Sequence, residues 1–165
     1  MARAPIIAVC GASQATEQQL HDAAEVGRLL VAGGCVVVCG GLGGVMEACA
    51  QGVRGAGGIC IGLLPGDDPS AGASDLTVAI ATGMGEMRNA LIVRSAAGVV
   101  AIGGAYGTLS EIGLALRLAR PVAALHTWSV RPPGGDTVPD DDLHEASDPD
   151  EAVTWLLRRV GRREG

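Results

Sequence analysis

The chain has 165 residues, a length that fits one domain with a substantial core. Its net charge of -6 argues against a nucleic-acid ligand, and its apolar runs are too short and too often broken by glycine to cross a membrane. All twelve positively charged side chains are arginine. The lack of lysine excludes Schiff-base chemistry and a Walker A phosphate loop. We therefore expect a small-molecule ligand that is held by backbone amides, hydroxyls and arginine.

The beginning of the chain, MARAPIIAVCGAS, has one arginine and a short apolar run, which is not typical of a secretory signal. We predict a cytoplasmic protein. The five cysteines all precede residue 61 and form no CxxC pair. They are interpreted as buried apolar residues rather than as zinc or redox ligands.

Six short runs rich in valine, isoleucine or leucine alternate with helical patterns along most of the chain. The runs are PIIAVCG, CVVVCGG, GICIGLLP, LTVAIATG, GVVAIGG and PVAALHTW. Continuous apolar strands of this kind are typical of a parallel sheet that is covered by helices on both faces. We predict one doubly wound, Rossmann-like α/β domain over residues 1–165.

The helices between these strands have recognisable boundaries. The first begins after Thr16, which can form a capping box with Gln19, and ends at the glycines of residues 32–34. The second begins near Val45 and ends at residues 55–58, and the third covers about residues 86–96. The fourth covers about residues 108–118 and is apolar nearly all round, which indicates burial by the sheet on one side and by a second subunit on the other.

The last part of the chain begins with a segment rich in proline, glycine and acidic residues. Residues 131–148, RPPGGDTVPDDDLHEASD, are predicted to form an exposed loop. The three aspartates at 140–142 lack partnered ligands, so we interpret them as solvated and predict no metal site. Asp148 as N-cap and Pro149 at the first helical position predict a final helix over residues 149–161.

Two glycine turns form a near-repeat with an offset of 63 residues. VVVCGGLGGVMEA and VVAIGGAYGTLSE each read as a buried strand, a GGxxG turn and a helix. Both turns are expected at the carboxyl edge of the parallel sheet, where ligands of open α/β folds bind. The glycines allow positive φ and leave the amides of the helix N-terminus open to a phosphate. The alternative is that these turns serve packing only.

Between the two turns, the segment ATGMGEMRNALIVRS places Arg88 in the first turn of a predicted helix. A positive charge there opposes the helix dipole, so an anion or a carboxylate is expected nearby. An ion pair with Glu86 or a solvated position is the alternative. Otherwise Arg88 lines the ligand crevice.

These segments together resemble the LONELY GUY-type phosphoribohydrolases, often mislabelled lysine decarboxylases, and their nucleotide-binding relatives, above all the branch of the molybdenum-cofactor carrier proteins. The resemblance covers roughly residues 5–125 and rests on GGLGGVMEA, GMGEMRNALIV and GGAYGTLSE. It implies a nucleotide or phosphorylated cofactor in the crevice, with Arg88 and Glu111 as the catalytic pair at an N-glycosidic bond. The ligand- and phosphate-binding residues that it implies are Gly11, Gly40, Gly41, Gly44, Met84, Asn89, Gly103, Gly104, Gly107 and Thr108.

Two departures from the hydrolase pattern favour binding over hydrolysis. Ile102 stands where the hydrolases have proline before the double glycine, and Asn89 stands where they have lysine after the arginine. The first hypothesis is therefore a nucleotide-binding protein, with a molybdenum-cofactor carrier as one form of it. Its ligand would be a nucleotide or a molybdopterin-type compound, and it would require no cofactor. The alternatives are a nucleoside 5'-monophosphate phosphoribohydrolase, a signalling sensor and, least favoured, a single-stranded DNA binder. A lysine decarboxylase is excluded because the chain has no lysine to hold its cofactor.

Glu111 has two possible roles. The sequence Thr108-Leu109-Ser110-Glu111 fits a capping box in which Glu111 bonds the Thr108 amide. Alternatively, Glu111 is a site residue whose partner is Arg88. The two roles are compatible if the box forms without ligand and opens when a phosphate occupies the helix N-terminus.

Overall fold

A single seven-stranded sheet organises the chain, and every strand pairing in it is parallel. The structure is a computed structural model that describes residues 3–130 and 142–162. The strands are β1 (Ile6–Gly11), β2 (Val36–Cys39), β3 (Cys60–Leu64), β4 (Val78–Ala81), β5 (Gly98–Ile102), β6 (Val122–Leu125) and β7 (Leu143–Ala146). The helices are α1 (Glu17–Ala32), α2 (Val45–Gly55), α3 (Arg88–Ser95), α4 (Tyr106–Arg117) and α5 (Pro149–Gly161). Short 3-10 helices cover Pro69–Ala71 and Gly85–Met87.

The predicted fold class is confirmed, because all six strand runs form parallel strands in a doubly wound α/β domain. The predicted starts of three helices also agree with the structure: Thr16 and Gln19 form the capping box of α1, α2 begins at Val45, and Asp148 caps α5. The capping groups are local in sequence, which is why the pattern alone could place them.

Three boundaries differ from the prediction. Residues 143–146, predicted as loop, form the edge strand β7 beside β6, while the rest of that predicted loop up to residue 141 lies outside the described residues. The third helix begins at Arg88 after a 3-10 turn instead of at 86, and α4 begins at Tyr106 instead of 108. Among the described strands, Leu143–Ala146 pairs with β6 alone. Its half-polar sequence, LHEA, lacks the apolar run that marked the other strands.

The helices divide between the two faces of the sheet. Helices α1, α2 and α5 pack on one face, and α3 and α4 pack on the other. Helices α1 and α2 approach closely because Gly52 has no side chain, since a Cβ there would overlap the backbone of Ala24. Both faces of the central strands are buried in apolar clusters, which accounts for the continuous apolar runs in the sequence.

The strand order, β4-β3-β2-β1-β5-β6-β7, reverses direction between β1 and β5. The chain builds outward from β1 to β4, returns through α3, and continues from β5 in the opposite direction. The loops that follow β1 and β5 therefore separate toward opposite faces and leave a crevice at the carboxyl edge. This crevice is where the predicted site residues have to lie if they act together. In the described part of the chain no helix is both long and apolar enough to cross a membrane.

Candidate functional site

The turn after β5 presents a helix N-terminus at the crevice. Gly103 and Gly104 have φ values of 55° and 102°, in the region that favours glycine. The N-cap of α4 is Ala105, and no side chain caps the helix. The first-turn amides of α4 have no acceptor within the helix and carry the positive end of its dipole. This geometry suits an anion such as a phosphate.

Thr108 lies within the first turn of α4 and not before it. Its side chain is buried and packs against Gly104, where a Cβ would overlap the Thr108 hydroxyl. The predicted capping box with Glu111 is therefore wrong, because a residue inside the helix cannot serve as its N-cap. Glu111 is free of a capping role and its carboxyl is directed elsewhere.

Glu111 is a buried carboxyl on the sheet side of α4. It is 7% exposed and interacts with the thiol of Cys10, near the carboxyl end of β1. Burial raises the pKa of Glu111 to about 7, while the Cys10 thiol and the Arg88 guanidinium lower it in part. Burial also raises the pKa of Cys10, and the adjacent Glu111 adds to that effect. A carboxyl with a pKa near 7 can both donate and accept a proton at neutral pH.

Arg88 begins α3 and is buried, with only 8% of its surface exposed. Its guanidinium lies against Gly40 at the end of β2, and a side chain there would overlap Nη1. The Nε of Arg88 has no hydrogen-bond partner among the described residues. Glu86, the alternative partner, is exposed and forms no ion pair with Arg88 in this part of the structure. A buried cation with an unused donor indicates a missing anionic partner.

The turn after β2 is packed against the protein at most of its glycines. A Cβ on Gly41 would overlap Leu64, and one on Gly44, at φ 66°, would overlap the backbone carbonyls of residues 12 and 13. The Val45 amide at the start of α2 donates to the carbonyl of Ala12 over 2.9 Å. Gly40 differs from these, because it makes room for Arg88. Packing thus accounts for Gly41 and Gly44, whereas a Cβ on Gly43 would meet no atom within 4 Å.

The remaining predicted site residues occupy different surroundings. Gly11 ends β1, and a Cβ there would overlap the Ile102 carbonyl and the Val45 side chain. Asn89 is half-buried beside Arg88, and its Nδ2 lies 3.9 Å from the position that a Cβ of Gly107 would occupy. Met84 is 41% exposed before the 3-10 turn. The structure thus brings Arg88, Glu111 and the glycine turns to one edge of the sheet, with Met84 at the surface.

Sequence reasoning did not identify the segment of residues 126–128, which follows β6. His126 Nδ1 lies 3.3 Å from Oδ2 of the buried Asp22 on α1. The Thr127 hydroxyl donates to the Gly103 carbonyl, and Trp128 Nε1 donates to the Ala105 carbonyl over 3.1 Å. His126 also has a φ of 50°, which is uncommon outside glycine. The segment therefore holds the glycine turn from one side, and only the odd clustering of His, Thr and Trp could have signalled it.

A groove of about 580 Å³ lies between α1 and α2, and Gly44 of the first glycine turn is part of its lining. Its lining includes residues 13–15, His21, Glu47 and Gln51, but none of Arg88, Thr108 and Glu111. We take the buried charges as the candidate site instead, because a buried guanidinium with an unpartnered Nε beside a buried carboxyl is a more specific sign of a ligand than open volume. Among the described residues no three His, Cys, Asp or Glu side chains are arranged to hold a metal ion.

Comparison with known proteins agrees with the fold. The chain is 33% identical to the molybdenum cofactor binding protein of Rippkaea orientalis, with a TM-score of 0.85 over 96% of this chain and 98% of that one. It is 30% identical to the molybdenum cofactor carrier protein of Chlamydomonas reinhardtii, with a TM-score of 0.82 over 96% and 99%. A probable cytokinin riboside 5'-monophosphate phosphoribohydrolase of Oryza sativa is 36% identical over 107 residues, which are 62% of this chain and 47% of that protein.

The match to a protein family covers nearly the whole described fold. The SLOG cluster4 family matches residues 4–153, which include the crevice, both glycine turns, Arg88 and Glu111. The chain belongs to the SLOG cluster4 family, within the LONELY GUY-like superfamily and near its molybdenum-cofactor carrier branch.

Proposed function

We propose that this protein binds a phosphorylated nucleotide or nucleotide-like cofactor in the crevice between β1 and β5. One observation carries the proposal: the guanidinium of Arg88 is buried and its Nε has no partner in the described structure. A phosphate beside it would supply the absent acceptor, and charge-assisted hydrogen bonds of this type are strong. The uncapped N-terminus of α4 would hold the same phosphate through backbone amides.

The molybdenum-cofactor carriers suggest one ligand of this class. Their cofactor carries a phosphate on a pterin, and the phosphate end suits the unpaired Arg88 donor and the turn at residues 103–108. Those residues would hold the phosphate, while the metal would depend on the cofactor's own sulfur atoms. A carrier of this kind retains molybdopterin without turnover. Binding of simple nucleotides together with failure to retain molybdopterin would contradict the carrier role and leave nucleotide binding standing.

The direct test is equilibrium binding of ribose 5-phosphate by calorimetry. Arg88→Ala should weaken binding about 100-fold, because removing one partner of a buried charged hydrogen bond costs about 3 kcal/mol. Arg94→Ala is the matched control, since Arg94 lies on the same helix but is exposed. Equal affinity of the Arg88 variant and the wild type would refute the assignment.

Hydrolysis of a nucleoside 5'-monophosphate is the second candidate, favoured by the pKa of about 7 at Glu111. At neutral pH such a carboxyl could stabilise positive charge on the ribose when ionised and deliver a proton when neutral. Asn89, in place of the lysine of the hydrolases, removes a positive charge from this edge. Release of adenine from AMP, measured by chromatography and abolished in Glu111→Ala, would establish the activity. No release from the folded wild-type protein would restrict the function to binding.

We also propose that the chain forms a homodimer through the face that carries α3 and α4. The exposed Val78 and Ile80 of β4 pair with Ile61 and Leu63 of β3 and so point to this face. Met87, just before α3, and Leu91, within it, are further exposed apolar residues. The outward face of α4 is less apolar, with Ser110, Gly113 and Arg117 exposed.

Light scattering tests the dimer. Leu91→Glu should reduce the molar mass to that of a monomer, because a charge would be buried in the interface without a partner. Leu20→Glu, at a leucine of similar exposure on α1, should leave the mass unchanged. A monomeric wild-type protein would exclude the proposal.

A further inference from the structure

An aromatic pair stands at the entrance to the proposed phosphate site. The chain has only three aromatic residues of the Phe, Trp and Tyr type, and two of them, Tyr106 and Trp128, contact each other. Their ring centroids are 5.7 Å apart and the rings are inclined by 31°. Tyr106 is the first residue of α4, directly after the Gly103 turn. Two of the three aromatic residues therefore lie at the N-terminus of α4, where Trp128 bonds the Ala105 carbonyl.

The position of Trp128 is fixed by the turn itself. Its indole Nε1 donates to the carbonyl of Ala105, the N-cap of α4. The preceding residue, Thr127, donates to the carbonyl of Gly103. His126 is anchored to the buried Asp22 of α1. The ring is thus held in place by three consecutive contacts before any ligand arrives, which lowers the entropy lost on binding.

Tyr106 does not contribute to the core. It is 79% exposed, the highest value among the exposed large apolar residues of the described structure, so its contact with Trp128 leaves most of the ring in water. An exposed ring that is held beside a helix N-terminus has little value for folding. It does offer a flat apolar surface next to the place where a phosphate would bind.

We propose that Tyr106 and Trp128 form an aromatic platform that stacks the planar heterocycle of a nucleobase or pterin. The phosphate of the same molecule binds at the Gly103 turn, so the inference rests on the proposed function and extends it from the phosphate to the ring. The ligand class is then a phosphorylated compound with an attached heteroaromatic ring. A sugar phosphate alone would occupy half of the site.

The experiment compares AMP with ribose 5-phosphate, which lacks the ring, by calorimetry. Stacking on an aromatic side chain is sequence-tolerant and substantial, so AMP should bind the wild-type protein about tenfold more tightly than ribose 5-phosphate. Tyr106→Ala should remove most of this difference and leave the affinity for ribose 5-phosphate within about twofold. Tyr106→Phe keeps the ring and should retain the difference, which separates stacking from loss of the hydroxyl.

Fluorescence provides a second readout that does not depend on Tyr106 variants. AMP should quench the emission of Trp128, so Trp128→Phe should abolish the response. Trp155→Phe should retain it, because Trp155 lies on α5, stacked on His144 and packed against the core.

The outcomes separate the two proposals. If ribose 5-phosphate binds and AMP binds no more tightly, the platform is wrong and the phosphate site stands. If neither binds, both are wrong. If Tyr106→Ala lowers the molar mass in light scattering and leaves the AMP preference intact, Tyr106 is a subunit contact and the platform is overturned.

Discussion

The two glycine turns have the same sequence pattern but are built for different purposes. With the offset of 63 residues, Val45 of the first turn corresponds to Thr108 of the second, and Ala48 corresponds to Glu111. All four side chains are buried. The first turn thus has hydrocarbon at the positions where the second has a hydroxyl and a carboxyl.

The helices that follow the turns also start differently. Helix α2 starts at Val45, after Gly44 at φ 66°, and its first amide is used by the Ala12 carbonyl. Helix α4 starts two residues earlier in the pattern, at Tyr106. No side chain of the described residues caps either helix, but the first amide of α4, unlike that of α2, has no backbone acceptor among them. The first turn shows that apolar side chains and one backbone hydrogen bond to the Val45 amide are sufficient for the fold. The polar side chains and open amides of the second turn are therefore the ones that we assign to the proposed ligand.

Gly44→Ala should have the largest effect, and it should act on the fold. The new Cβ would require an unfavourable positive φ and would overlap the backbone carbonyls of residues 12 and 13, which cannot move as a side chain can. We expect a loss of about 3 kcal/mol in the free energy of unfolding, measured with urea.

Gly43→Ala in the same turn is the control, because a Cβ there meets no atom within 4 Å. It should be close to neutral. If the Gly44 variant were as stable as the Gly43 variant but unable to bind ribose 5-phosphate, the first turn would be a ligand site and the contrast between the turns would fail.

Most of the fold could be predicted from the sequence because its signals are local. A buried parallel strand is marked by its own apolar run, and caps such as Thr16 and Asp148 act within three residues. The start of α4 could not be predicted in this way. Gly107 lies within α4, whereas its counterpart Gly44 precedes α2 as the N-cap. Which of the two occurs depends on contacts with other segments.

The site was predicted only in part, for a related reason. The motifs identified Arg88, Glu111 and the glycines, but no pattern indicated that Cys10 of β1 would contact Glu111. The segment at residues 126–128 reaches the Gly103 turn from about 24 residues away in sequence. Such contacts arise from strand order, and a single sequence does not encode strand order in any local pattern.

Glu111→Gln tests the carboxyl that stands in the second turn where the first turn has Ala48. The readout is how the free energy of unfolding depends on pH. The pKa of Glu111 is raised from 4.5 to about 7 in the folded protein, so between these values folding takes up a proton. Raising the pH across this window should therefore destabilise the wild-type protein, by about 3 kcal/mol in total. The glutamine variant has no carboxyl at this position and should not show this loss. Between pH 4 and pH 8 its free energy of unfolding, measured with urea, should therefore rise by that amount relative to the wild type.

Glu25→Gln provides a control of opposite sign. The hydrogen bond from Arg28 lowers the pKa of Glu25, so the ionised carboxylate stabilises the folded state. As the pH rises and Glu25 ionises, the variant should therefore become slightly less stable than the wild type. An identical pH dependence in the wild type and Glu111→Gln would mean that Glu111 titrates as an ordinary surface carboxyl. Glu111 would then be a solvated carboxyl, and the contrast with its buried counterpart Ala48 would fail.

Gly107→Ala should have the smallest effect on the fold and distinguishes the turns most cleanly. A Cβ on Gly107 would meet only Asn89 Nδ2, at 3.9 Å, so the folded chain has room for it and alanine should stabilise the helix by up to about 1 kcal/mol. The same methyl group would enter the space beside the α4 amides, and ribose 5-phosphate should bind about tenfold more weakly, at a cost of ~1.4 kcal/mol. Gly113→Ala, an exposed position on the same helix with open space around it, should gain similar stability without losing affinity. If Gly107→Ala binds ribose 5-phosphate as well as Gly113→Ala does, the phosphate lies away from the α4 N-terminus. If Gly107→Ala is more stable than the wild type but binds more weakly, this glycine is needed for the ligand and not for the turn.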